Sequence, residues 1–152
     1  MLELKRILLA EDNPNDAELT LAALSEHRLS NDVIHVRDGV EALDYLLRRH
    51  RYETWPIGNP AVVLLDLKMP RVDGLEVLRQ MRKATSLREV PVVVLTSSRE
   101  DQDIIESYHL GINAYVVKPV AFPDFVAAVK TLGLFWGILN EPPHGTAPST
   151  RR

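Results

Sequence analysis

Val62-Val63-Leu64-Leu65 is an unbroken apolar run that ends abruptly at Asp66. It lacks the alternation of a half-wetted strand and is too short for a buried helix. It therefore reads as a strand covered on both faces, as inside a parallel sheet. Pro70 and Gly74 follow and break the strand. Asp66 thus falls outside a strand's carboxyl end, the edge where open α/β sheets bind ligands. A carboxylate there is costly unless it meets a cation or does chemistry.

The same pattern recurs along the chain. Ile7–Ala10 is a short apolar run ending in Glu11, Asp12 and Asn13, and Pro14-Asn15 then opens a helix through Leu19, Ala22 and Ala23. Val33–Val36 ends at Asp38-Gly39, and a helix from Val40 to Arg49 carries Leu43, Leu46 and Leu47 on one face. Arg51–Pro60 reads as a loop, with Trp55, two prolines and a glycine. After Asp66 a helix carries Leu75, Leu78 and Met81. Val92–Leu95 ends in Thr96, Ser97 and Ser98, and a helix around Ile104, Ile105 and Tyr108 stops at Gly111. Ala114–Val117 ends in Lys118-Pro119, and a last helix places Phe122, Val126, Val129 and Leu132 at helical spacing. Five β-α units in succession predict a doubly wound five-stranded parallel sheet with helices on both faces.

With 152 residues, 45% hydrophobic and 26% charged, the chain suits one soluble domain. A net charge of −3 argues against nucleic acid as a partner, because phosphate backbones need a basic face. The absence of cysteine excludes disulfides, thiolate catalysis and zinc–thiolate sites. No apolar run reaches the length of a signal peptide core or a membrane span, so a cytoplasmic protein without membrane attachment is expected. The Pro-, Gly-, Ser- and Thr-rich stretch 140–152 is expected to be a disordered tail.

In a parallel sheet the strand carboxyl ends share one edge, so Glu11, Asp12, Asp66, Thr96 and Lys118 should converge. Two like charges about 4 Å apart repel by roughly 4 kcal/mol at an effective dielectric near 20. A divalent cation relieves this, and with only oxygen ligands on offer magnesium fits best. Asp66 could then attack phosphorus to form an aspartyl phosphate. Lys118 would offset charge on the transferred oxygens, and Thr96 would hydrogen-bond one of them.

These motifs resemble the receiver domains of two-component response regulators. The matching pieces are Glu11-Asp12, the run DLKMPRVDG from Asp66, Thr96-Ser97, and Tyr115-Val116-Val117-Lys118-Pro119. Thirty residues separate Asp66 from Thr96 and twenty-two separate Thr96 from Lys118, as in that family. The resemblance covers residues 4 to 133. It implies a flavodoxin-like receiver topology, with the domain over 4–139 including an extended C-terminal helix. Asp66 would be the phosphoacceptor, loaded from a sensor histidine kinase. Magnesium would be held by Asp12, Asp66 and the Lys68 backbone carbonyl, with Glu11 helping through water. Thr96 and Tyr115 would form the switch pair, and the Lys118–Pro119 bond would be cis.

Output would pass through a changed surface made by the fourth helix, the fifth strand and the last helix. No enzymatic activity is expected beyond self-phosphorylation from a phosphodonor and autodephosphorylation. Glu11 stands where the family more often has aspartate, and the stretch 51–60 is longer than in minimal receivers. That insertion and the apolar run after the last helix resemble single-domain receivers that pair with phytochrome-type light-sensing kinases.

Blander readings compete for each residue. Asp66 could cap a turn, Glu11-Asp12 could be a solvated loop pair, Lys118 a surface lysine and Tyr115 plain core. Lys68 and Ser98 could steer a hydrolytic water or merely lie exposed. Arg48-Arg49-His50-Arg51 reads as the solvated end of a helix, where positive charge suits the helix dipole. The histidines show no metal spacing. Phe135, Trp136, Ile138 and Leu139 are too apolar for a free tail: they either pack back or form an interface, for which a symmetric homodimer is expected. Two rival functions remain. A haloacid-dehalogenase-like phosphatase would need an acid where Lys68 stands. A phosphorylation-independent scaffold would leave the site unused.

Overall fold

The computed structural model describes residues 6–26, 33–56, 58–97, 101, 103, 106, 110–112 and 114–132. The strands are β1 (Ile7–Ala10), β2 (Val33–Val36), β3 (Val62–Asp66), β4 (Val92–Thr96) and β5 (Ala114–Val117). The continuous helices among the described residues are α1 (Pro14–Ser25), α2 (Gly39–Leu46), α3 (Gly74–Lys83) and α4 (Phe122–Thr131). Asp101, Asp103 and Glu106 are also helical, while Ile104, Ile105 and Tyr108 lie outside the described residues.

The sheet is parallel throughout, in the order β2-β1-β3-β4-β5. Strand order reverses between β1 and β3, so their carboxyl ends open the crevice expected of a wound sheet. Every residue of β1, β3 and β4 is buried, which explains why these strands show no polar alternation. Leu8, Ala10, Val63, Leu65 and Val94 face one core with Leu43, Leu46, Leu78 and Met81. Ile7, Leu9, Leu64 and Leu95 face the other with Leu24, Phe125 and Val129.

The starts of α1, α2 and α3 are each fixed by a short polar side chain, whereas α4 follows Ala121 without a side-chain cap. Asn13 Oδ1 accepts from the N–H groups of Asn15 (2.8 Å) and Asp16 (3.0 Å), with Pro14 in the first turn. Asp38 Oδ1 caps Glu41 N at 2.8 Å and Asp73 Oδ1 caps Glu76 N at 3.0 Å. Two glycines allow these helix starts to press on neighbouring loops. A Cβ at Gly39 would stand 1.8 Å from the Val72 carbonyl oxygen, and one at Gly74 would stand 2.3 Å from that of Asp66.

Three expectations need correction. The apolar face of α1 is Ala17, Thr20 and Leu24, and Leu19 is 51% exposed. The cap at Asn13 sets the helix rotation, and Thr20 takes a core position its polarity conceals. On α4 the buried positions are Phe125, Ala128 and Val129, with Phe122 and Leu132 packed at the edge.

The third correction concerns the end of α2 and the stretch after it. The helix ends at Leu46 because Arg48 turns left-handed (φ 54°). Arg48 is not a solvated helix-end charge. Its guanidinium donates to the carbonyls of Tyr45, Pro56 (2.8 Å from Nη2) and Gly58 (2.7 Å), and lies 4.5 Å from the Tyr45 ring centroid. The following stretch begins with a 3-10 turn, His50–Tyr52, and is ordered by aromatic packing. Tyr45, Tyr52 and Trp55 meet edge to face with centroids 5.0–5.8 Å apart. Buried Tyr52 also donates its hydroxyl to Glu41 Oε2 at 2.8 Å.

Candidate functional site

Four strand ends bring their polar residues to one edge of the sheet. Glu11 leaves β1 fully buried, held by its N–H to Val36 O (3.0 Å) and by its own carbonyl against His35 Nε2 (2.9 Å). Asp12 beside it is exposed. Asp66 ends β3 at 4% exposure and Thr96 ends β4 at 1%. The Lys118 N–H donates to Thr96 O at 2.8 Å, which ties the end of β5 to that of β4.

The Lys118 ammonium then reaches Asp66 Oδ2 (3.2 Å), Glu11 Oε1 (3.3 Å) and Asp16 Oδ2 (3.1 Å). Burial works against that charge. The carboxylates of Asp16, Asp66 and Glu11 outweigh it and hold the lysine above its usual pKa. The sequence reading did not single out Asp16. Its signal lay in its position one helical turn beyond Asp12, which matters only once the rotation of α1 is known.

One carboxylate oxygen each from Glu11, Asp12 and Asp66 lies within 4.8 Å of the others. Burial, and then a proton shared with Asp66, push the Glu11 carboxyl up to about 7. An all-oxygen set with one exposed member, which can keep water on the ion, fits magnesium. Glu11's extra methylene is accommodated: Oε2 accepts from Asn13 N at 3.1 Å while Oε1 faces Lys118.

Thr96 Oγ1 is buried and has no hydrogen-bond partner among the described residues. A buried hydroxyl left in that state marks a place where an acceptor belongs. The Lys68 N–H donates to Asp66 Oδ1 at 3.2 Å, so the loop folds over the acid. The Lys68 side chain points outward, 3.9 Å from Asp101 Oδ1. Asp101 Oδ2 also accepts from the Ser97 hydroxyl at 3.1 Å, so the β3 and β4 loops meet across the mouth of the site. Ser98 lies outside the described residues.

Tyr115 is half-buried on β5, and its hydroxyl donates to Ile112 O at 3.2 Å. Burial and the nearby Glu106 carboxylate push its phenol up to about 12. The Lys118–Pro119 peptide bond is cis. Arg71 adopts φ 68° and donates to Asp38 Oδ2 at 2.8 Å, linking the β3–α3 and β2–α2 loops.

A wound parallel sheet with an acid cluster, a hydroxyl and a lysine at adjacent strand ends is the arrangement expected of a receiver domain. The chain matches the response regulator receiver domain over residues 7–130 and belongs to that family. The bacteriophytochrome response regulator RtBRR is 60% identical, with a TM-score of 0.84 and a match covering 98% of this chain and 90% of that one. The response regulator Rcp1 of Synechocystis sp. is 37% identical over 132 residues, 87% of this chain and 88% of its own. A solved Mn(2+)-bound form of Rcp1 gives a TM-score of 0.67, covering 87% of this chain and 94% of that one. The phosphorylated cyanobacterial phytochrome response regulator RcpA is 38% identical, with a TM-score of 0.69 and coverage of 87% and 93%.

Proposed function

We propose that this response regulator accepts a phosphoryl group on Asp66 from a phosphohistidine of a sensor kinase, in a magnesium-dependent reaction. The observation that carries this reading is the meeting of Asp66 with the Lys118 ammonium at 3.2 Å, beside the unpartnered buried hydroxyl of Thr96. An Asp66 carboxylate oxygen forms the new bond to phosphorus as the phosphorus–nitrogen bond to the histidine breaks. The imidazole leaves with its electron pair. Lys118 offsets charge gathering on one transferred oxygen and Thr96 Oγ1 donates to another.

Magnesium, when bound, would neutralise the remaining phosphoryl charge. Asp12, Asp66 and the Lys68 backbone carbonyl would hold it, with Glu11 assisting through water. The donor set observed here and the metal-bound state of Rcp1 both support it.

Thr96 and Tyr115 form the switch: the threonine moves toward the phosphoryl group, and the Tyr115 ring turns in behind it. The surface that changes comprises the helical segment containing Asp101 and Glu106, together with β5 and α4. A groove of about 400 Å³ already runs between β5 and α4, bordered by Tyr115, Val117, Asp124 and Thr131.

The kinase is of the phytochrome type, a reading supported by the likeness to RtBRR and RcpA. The protein acts as a cytoplasmic homodimer, with the receiver domain over 4–139, a disordered tail over 140–152, and Phe135–Leu139 at the subunit contact. Those segments beyond 132 lie outside the described residues. No helix among the described residues is long and apolar enough to cross a membrane. The phosphatase alternative lacks its acid, since Lys68 is exposed and paired with Asp101.

The deciding experiment is incubation with acetyl phosphate and magnesium, followed by intact mass measurement. A hydroxylamine-labile gain of one phosphoryl group, absent in Asp66→Asn, is expected. Equal labelling of both proteins would move the acceptor elsewhere. No labelling of either would leave only a scaffold.

A further inference from the structure

We infer that Asp16 is a positioning residue for phosphoryl transfer: it holds the Lys118 ammonium so that one of its three N–H bonds aims at Asp66. This rests on the phosphotransfer reading above. An ammonium has three donors, and here three carboxylates stand around it. Asp16 Oδ2 at 3.1 Å is the shortest of the three contacts, ahead of Asp66 at 3.2 Å and Glu11 at 3.3 Å. Lys118 follows an edge strand on a flexible four-carbon stem. Without a second and a third anchor its head would sample several rotamers.

Asp16 is itself built into place. Its N–H is held by Asn13 Oδ1 at 3.0 Å, and Asn13 N donates to Glu11 Oε2 at 3.1 Å. The segment from Glu11 to Asp16 thus folds as one unit that presents two of the three anchors. When phosphorus arrives, the N–H now on Asp66 passes to a phosphoryl oxygen while the Asp16 and Glu11 contacts persist. The ammonium is therefore aimed before the reaction begins, and that aiming is what lowers the barrier. A first-turn acid that merely favours the positive end of α1 would support stability alone.

Asp16→Asn and Asp16→Glu separate these roles in the full chain. In Asp16→Asn the rate of labelling by acetyl phosphate should fall roughly tenfold, less than the ~10² lost with an electrostatic donor itself. The nitrogen-15 signal of the Lys118 ammonium should be broader than in the wild type. Asp16→Glu should retain most of the rate, and both variants should keep wild-type unfolding midpoints within a few degrees. Wild-type labelling by Asp16→Asn, or an unaltered Lys118 signal, would overturn the inference. So would a fall in unfolding midpoint with no change in rate. If the wild type is not labelled while its Lys118 signal still depends on Asp16, the phosphotransfer reading fails and only the tether stands.

Discussion

Lys118 Nζ and Asp66 Oδ2 lie 3.2 Å apart, yet they leave strands that are not neighbours, since β4 separates β5 from β3. Among the described residues, this lysine is the cation that meets two buried carboxylates, Glu11 and Asp66. Lys118→Met removes that charge and keeps most of the stem. It should lower the rate of labelling by acetyl phosphate about 10²- to 10³-fold, as loss of a charge-stabilising donor does. Without magnesium it should also lower the urea midpoint, because two buried acids lose their counter-charge. Added magnesium should recover part of that stability but not the rate.

Glu11 gives a pH signature. Its carboxyl is raised from 4.5 to about 7, by burial first and then by Asp66. The folded protein therefore binds more protons than the unfolded chain between those values. In metal-free buffer the stability supplied by this group is complete below pH 4.5 and is lost as pH rises through about 7. Magnesium must displace the proton, so its affinity should rise with pH up to about 7 and level off above. Glu11→Gln should flatten both trends. Calorimetric titration in buffers of different ionisation enthalpy measures the released proton directly, and equal proton counts in wild type and variant would refute the assignment.

Gly74→Ala is expected to damage the site from outside it. The added methyl would stand 2.3 Å from the Asp66 carbonyl oxygen, so either the start of α3 or the acid must move. Backbone cannot yield as a side chain can, and a cost of about 1–3 kcal/mol is expected. Chemical denaturation measures that cost. Intact mass after acetyl phosphate treatment should show slower labelling as well.

The stretch after α2 should behave as part of the core. Tyr52→Ala removes a buried ring that touches Tyr45 and Trp55, and should destabilise by about 3–5 kcal/mol. Arg48→Ala frees the carbonyls of Pro56 and Gly58 and should cost about 1–3 kcal/mol. Labelling of Asp66 by acetyl phosphate should be unchanged in Arg48→Ala, since the residue does not contact the acid cluster. Urea titration and intact mass measure the two effects.

The sheet and the acid site were legible because each strand is an apolar run that stops at its functional residue. Asp66, Thr96 and Lys118 could be placed from strand ends alone, without knowing any helix rotation. Residues on helices were harder. Thr20 looks polar yet is buried, and Leu19 looks like core yet faces outward. Asp16 was missed for the same reason, since its meaning depends on how the Asn13 cap orients α1. The early end of α2 was hidden because a left-handed arginine leaves no mark such as glycine would. Only its side-chain bonds to Tyr45, Pro56 and Gly58 show why it holds.

The position of Lys118 has a mechanical corollary. Its backbone belongs to the border of the sheet, while its charged head rests on an acid at the centre, across the end of β4. Tension on that side chain is borne by the outermost strand. Whatever alters the electrical load at the middle of the molecule thus tugs on its rim, and anything gripping the rim can tug back.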